Sequence, residues 1–106
     1  MIPALSDIQA AVAAHFAISP LELVSRRRAR RIARPRQIAM YLARELTPQS
    51  LPAIGRAFRR DHTTVMHACR VIERELEANG DLGTEVDVLR QVIYDGDQQA
   101  LPFWQP

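Results

Sequence analysis

Apolar residues recur along this chain at intervals of three and four rather than two, so the elements predicted are helices, and no stretch alternates like a half-buried strand. Ile8, Val12 and Phe16 stand at steps of four behind Ser6 and Gln9, a capping-box pair, and predict a helix over about 7–17. Ser19, then Pro20, then Glu22 repeats the capping logic for a short helix of about 20–24. The run Ser25-Arg26-Arg27-Arg28-Ala29-Arg30-Arg31 has too few apolar anchors to bury and is expected as an exposed basic loop. Pro35 suits a helix start but not a helix interior, and Ile38, Leu42 and Leu46 with Ala39 and Ala43 mark an inward face, so a third helix is expected over about 34–46.

Ser50, with Pro52 two residues on, opens a short fourth helix to about 57 that brings Ile54 and Phe58 inward. After a turn at Phe58-Arg59-Arg60 comes a long helix of about 61–78. Val65, Cys69, Ile72 and Leu76 form its buried stripe, and Thr63, His67, Arg70 and Arg74 form a polar, cationic one. Asn79-Gly80 supplies the stop, and Thr84 is placed to cap a last helix of about 85–94 with Val86, Leu89 and Ile93 inward. The fold class is therefore all-α: one compact domain of about six helices over residues 1–95, followed by a flexible tail over 96–106. Helices 50–57 and 61–78 meet the helix-turn-helix plan, in which the second helix enters the major groove of DNA by its N-terminal end.

Charge sharpens this picture. The chain has 106 residues and a net charge of only +2, but the signs are sorted: residues 20–75 carry +8, residues 76–106 carry −5 and residues 1–19 carry −1. A basic module of this size points to a polyanion, nucleic acid before anionic membrane. All 14 basic residues are arginine, which removes the phosphate-binding P-loop lysine and any lysine nucleophile. The single cysteine, Cys69, has no intramolecular disulfide partner, and neither a signal segment nor a long apolar span is visible, so a cytoplasmic, nucleoid-associated protein is expected. No metal or cofactor is expected: His62 and His67 differ by five and diverge on a helix, which argues against a zinc site with Cys69. Cys69 reads as a small core residue.

The stretch from Ser25 to Ala43, with its Arg34-Pro35-Arg36-Gln37, then Ser50-Leu51-Pro52-Ala53-Ile54-Gly55, then Arg60-Asp61-His62-Thr63-Thr64-Val65-Met66-His67-Ala68-Cys69, resembles domain IV of the bacterial replication initiator DnaA. The resemblance covers about residues 6–94. It implies binding of double-stranded DNA at DnaA-box sequences and regulation of chromosomal replication initiation. On the matching positions, Asp61, His62, Thr63 and Thr64 are implied at base edges in the major groove, where a carboxylate accepts from a cytosine amino group and a threonine methyl packs on a thymine methyl. Arg28 is implied in the minor groove. Arg36, Arg44 and Arg60, with Leu51 and Pro52, are implied at phosphates. Asp61 is also placed to cap the long helix. One departure stands out: where the family places two glycines before Arg-Asp-His-Thr-Thr, this chain reads Phe58-Arg59-Arg60-Asp61, one residue shorter and without glycine. A turn that relied on positive φ must be rebuilt, and Arg59 adds a charge there.

The family's ATP-binding domain has no counterpart in these residues. The initial methionine and the tail point to a complete short protein, similar to the small DnaA-related proteins of the HdaB type. In the tail, Gln98, Leu101 and Phe103 match the Gln-x-x-Leu-x-Phe form of the peptide that bacterial proteins insert into the sliding clamp of the replicative polymerase, a peptide like that of the DnaA-inactivating protein Hda. Two functions follow: a site-specific DNA-binding regulator, or a protein-interaction module acting on Hda, DnaA or the clamp with weak or nonspecific DNA binding. An enzyme has little support, because no acid pair or nucleophile triad is recognisable.

Overall fold

Six helices make up the described residues, 2–99, of a computed structural model: α1 (Leu5–His15), α2 (Pro20–Leu23), α3 (Arg30–Leu46), α4 (Leu51–Phe58), α5 (His62–Ala78) and α6 (Gly80–Gln99), with no strand among them. The expected buried stripes meet in one core, in which Ile8, Val12, Ile38, Leu42, Ile54, Phe58, Val65, Cys69, Ile72, Val86 and Leu89 are all within 1 % of full burial. Helix α3 runs through the middle of this core and packs against α1 and most extensively against α5, while α4 lies across α5 as the first arm of the helix-turn-helix pair.

Local chemistry explains most of the boundaries. Ser19 Oγ accepts from the Glu22 N–H at 3.0 Å while the Glu22 carboxylate accepts from the Ser19 N–H at 3.1 Å, closing the expected capping box of α2. Ser50 Oγ accepts from the Ala53 N–H at 3.2 Å and starts α4. At α1 the cap differs from the expectation at Ser6: the helix opens at Leu5, and the Asp7 carboxylate accepts from the Ala4 N–H at 3.3 Å.

Two helices are longer than their patterns predict. α3 begins at Arg30, so Pro35 lies inside it and the basic loop is shorter than expected. The proline is tolerated because it sits in the second turn, where the only acceptor it deprives is the Arg31 carbonyl at the start of the helix. α6 starts at Gly80 and continues to Gln99, five residues beyond the expected end. Its cap is Asn79, whose Oδ1 accepts from Asp81 and Leu82 N–H at 3.0 and 3.3 Å. Thr84, the expected cap, instead donates back to the Gly80 carbonyl. The backbone of Gln98 thus belongs to α6, and Leu101 and Phe103 lie outside the described residues.

Bidentate ion pairs tie the long helices together. Arg34 of α3 meets Glu75 of α5 at 2.6 and 2.7 Å, and Arg90 of α6 meets Glu45 of α3 at 2.8 Å on both arms.

Candidate nucleic-acid interface

The turn between α4 and α5 brings the two arms of the motif close together. Arg59 caps α4 in the left-handed conformation, φ 57° and ψ 43°, and the chain reverses with the Arg60 N–H donating to the Gly55 carbonyl at 2.8 Å. The rebuilt turn therefore takes its positive φ at an arginine. Gly55 is fixed by proximity: a Cβ there would stand 2.5 Å from the Arg60 carbonyl oxygen.

From this turn α5 emerges with Asp61 as its N-cap, its backbone extended and its carbonyl accepting from Thr64 and Val65 N–H. The Asp61 side chain makes no capping hydrogen bond. It accepts instead from the Thr63 hydroxyl at 2.7 Å and lies 3.1 Å from His62 Nδ1. The Thr63 hydrogen bond holds the Asp61 carboxyl below its ordinary value, with His62 adding to the effect. Asp61, His62, Thr63 and Thr64 are all exposed at one helix end, so all four positions expected at base edges are brought together. With the Thr63 proton committed, its methyl and the acceptor side of its oxygen are left for a partner.

Beside this helix end lies a groove of about 460 Å³ lined by Arg26, Arg28, Arg36, Arg59, Arg60 and Thr64 with Ala33. Among the described residues no carboxylate lines it. A smaller depression continues from it along the α3–α5 seam, past Gln37 and Met40 to His67. Glu22 divides the basic segment in two: it pairs with Arg27 at 3.7 Å and Arg31 at 3.3 Å, which also lowers its pKa in addition to the Ser19 backbone bond that chiefly does so. Arg26 and Arg28 have no such partner among the described residues, and both are exposed.

Arg36, expected at a phosphate, lines the groove but is only 6 % exposed, and its guanidinium donates to the Leu23, Ser25 and Arg27 carbonyls at 2.7, 2.9 and 3.0 Å. It shapes the basic loop from behind. Burial, then the neighbouring Arg60, lowers its pKa. Arg60 is also partly committed, donating to Ser25 at 2.7 Å and to Phe58 and Arg59 at 3.3 and 3.2 Å. Arg44 is exposed but stands apart from the groove, in a depression of about 240 Å³ with Tyr41, Glu45, Cys69 and Glu73. Leu51 and Pro52 open α4, where Pro52 has no N–H and the Ala53 and Ile54 N–H groups are taken by Ser50. The Leu51 N–H is left as the open donor of that helix end.

Two groove residues, Arg26 and Arg59, and the close-approach glycine were not assigned from sequence. Arg26 was hidden in a charge run where nothing local distinguishes one arginine from the next, and the signal for Arg59 was its place in a glycine-free turn. Among the described residues no three His, Cys, Asp or Glu side chains gather as a metal site, and no helix is long and apolar enough to cross a membrane.

Comparison with known proteins agrees with this geometry. Residues 5–72 match the family model described as bacterial dnaA protein helix-turn-helix. The chain is 53 % identical over 94 residues to the chromosomal replication initiator protein DnaA of Agrobacterium fabrum, covering 88 % of this chain and 19 % of that protein. It is 50 % identical over 97 residues to the protein of the same name from Bartonella quintana, covering 91 % and 19 %. It therefore spans about a fifth of the length of these relatives. A crystal structure of a DNA replication initiation factor superposes with a TM-score of 0.78 at 38 % identity, over 87 % of this chain and 28 % of that one.

Proposed function

The chain belongs to the bacterial DnaA helix-turn-helix family, and from that premise we propose that it binds double-stranded DNA at DnaA-box-like sites and regulates replication initiation by occupying them. The observation that carries the proposal is the exposed Asp61-His62-Thr63-Thr64 helix end beside a groove of arginines with no carboxylate in its lining among the described residues. A helix end of that kind enters the major groove. The neighbouring cations neutralise the backbone that flanks it.

The roles divide by geometry. Asp61, held as an anion, accepts from a cytosine amino group, the Thr63 and Thr64 methyls meet thymine, and His62 completes the base-facing set. Arg28 reaches the adjacent minor groove from the loop. Arg60, Arg44 and the open Leu51 N–H at the start of α4 hold phosphates and set register. Arg36 acts on DNA through the loop it supports. The proposed role is binding rather than catalysis, which places the protein on the nucleoid.

A second reading keeps the fold but works through protein partners, Hda, DnaA or the sliding clamp, and is favoured by the Gln98, Leu101 and Phe103 pattern. Fluorescence anisotropy on a duplex with one DnaA box and on a scrambled duplex, across several salt concentrations, separates the two. A preference of at least about tenfold, roughly 1.4 kcal/mol, that survives salt supports site-specific binding. Equal affinities would move the assignment to the partner reading, to be tested by clamp binding with and without residues 100–106.

A further inference from the structure

We propose that Arg59, together with Arg26 in the same groove, holds one backbone phosphate of bound DNA between the base-reading end of α5 and the basic loop, so that the turn of the motif is itself a DNA contact. The inference rests on the DNA-binding reading above and adds a site to it.

The backbone gives the first argument. Arg59 is one of only two non-glycine residues with positive φ among those described, and a left-handed turn is entered at lower cost by glycine than by any residue with a Cβ. The turn gains nothing from an arginine side chain. What the side chain does is line the groove.

Hydrogen bonding gives the second. Of the five arginines around the groove, Arg36 and Arg60 are committed to carbonyls and form a fixed wall. The guanidinium groups of Arg26, Arg28 and Arg59 make no hydrogen bond and no ion pair among the described residues. Arg28 is the one the loop offers to the minor groove, which leaves Arg26 and Arg59 as two unengaged planar forks. A phosphodiester carries two non-bridging oxygens, and the guanidinium fork suits them.

Electrostatics gives the third. With no acid in the lining among the described residues, the cations crowd one another, and Arg26 contributes, after burial, to lowering the Arg60 pKa. A single anion in the groove relieves that crowding for several guanidinium groups at once.

The test is the salt dependence of duplex binding for the full chain and its variants. Arg59→Gly removes the cation and suits the left-handed backbone, so the fold is kept, and melting temperature checks this. We expect the double variant Arg26→Ala with Arg59→Gly to have a log Kobs against log salt slope shallower than wild type by about 0.9, the value of one B-DNA phosphate, and Arg59→Gly alone, with Arg26 still at that phosphate, to fall between the two. Arg59→Lys should retain the wild-type slope. Arg26→Ala should weaken binding, and the double variant Arg26→Ala with Arg59→Gly should lose less than the product of the single losses, because both act on one phosphate. An unchanged slope for the double variant, or multiplicative losses in it, overturns the shared seat while wild-type DNA binding stands. Absence of salt-dependent duplex binding by wild type itself overturns the seat and the DNA-binding reading together.

Discussion

Arg36 and Arg60 donate to the same oxygen, the Ser25 carbonyl, at 2.9 and 2.7 Å. One guanidinium comes from the interior of α3 and the other from the turn before α5, so a single loop carbonyl joins the basic loop to both halves of the interface. Two like charges are held close, and burial lowers the pKa of each. The arrangement persists because the carbonyls supply what water would otherwise supply.

Arg36→Ala should therefore cost more in stability than an exposed arginine does. It leaves the carbonyls of Leu23 and Arg27 without their donor and that of Ser25 with Arg60 alone, and the expected loss is about 2–3 kcal/mol on the scale of hydrogen bonds to charged groups. Arg36→Lys should not restore it, since one ammonium lacks the fork that reaches three oxygens. Urea unfolding measures the loss, and amide exchange over residues 24–29 should rise with it. Wild-type stability in the alanine variant would show that the loop holds without this anchor.

Asp61 provides a pH-dependent signature. Its folded pKa is depressed below the ordinary 3.8, first by the Thr63 hydroxyl, so the stabilising contribution is present above that value and is lost as pH falls through the lower folded one. The carboxyl resonance of Asp61 in an NMR titration should have its midpoint below 3.8, and Thr63→Ala should move it upward. A midpoint unaffected by Thr63→Ala would mean that the contact does not hold the carboxylate in solution.

The apolar spacing anticipated the core, because Val65, Cys69 and Ile72, or Val86, Leu89 and Ile93, are read from one helix at a time and all are buried. The caps at Ser19 and Ser50 were legible for the same reason, being interactions over three residues. What local pattern did not carry was any contact made at a distance. Arg36 reads like every other arginine until α2 and the loop fold back 9 to 13 residues to meet it. The tolerance of Pro35 depends on where α3 begins, and that start is set by the Ala29 carbonyl accepting from Ile32 and Ala33 N–H rather than by composition. At the candidate site the base-facing helix end was legible as a motif. The groove was not, since it exists only once Arg26 and Arg59, from separate segments, line one wall.

Base reading and phosphate holding should separate by mutation. Thr64→Ala removes a methyl and hydroxyl at the mouth of the groove and should lower discrimination between box and scrambled duplex by about 1–3 kcal/mol, with little change in salt slope. Arg44→Ala, away from that helix end, should weaken binding to both duplexes alike and flatten the slope by about 0.9. Anisotropy titrations on the two duplexes read both effects. Equal losses on both duplexes for Thr64→Ala would count against base contact at that position.

Gly55 sets how closely α4 can approach the chain entering α5. A Cβ at this position would lie 2.5 Å from the Arg60 carbonyl oxygen and 3.4 Å from the His62 nitrogen. Both neighbours are backbone, so neither can swing aside, and the Arg60 N–H bond to the Gly55 carbonyl at 2.8 Å must stretch or break as the helices part. Gly55→Ala gains helix propensity, worth about 1 kcal/mol, but that gain is smaller than the overpacking cost expected here, about 2–3 kcal/mol. The net effect should be a melting temperature lower by roughly 4–10 °C. Because the shift opens the angle between the arms of the motif, site preference should fall more than affinity for scrambled DNA. A melting temperature equal to or above wild type would mean that the motif widens freely, and that the close approach at Gly55 does not fix the angle at which α5 meets DNA.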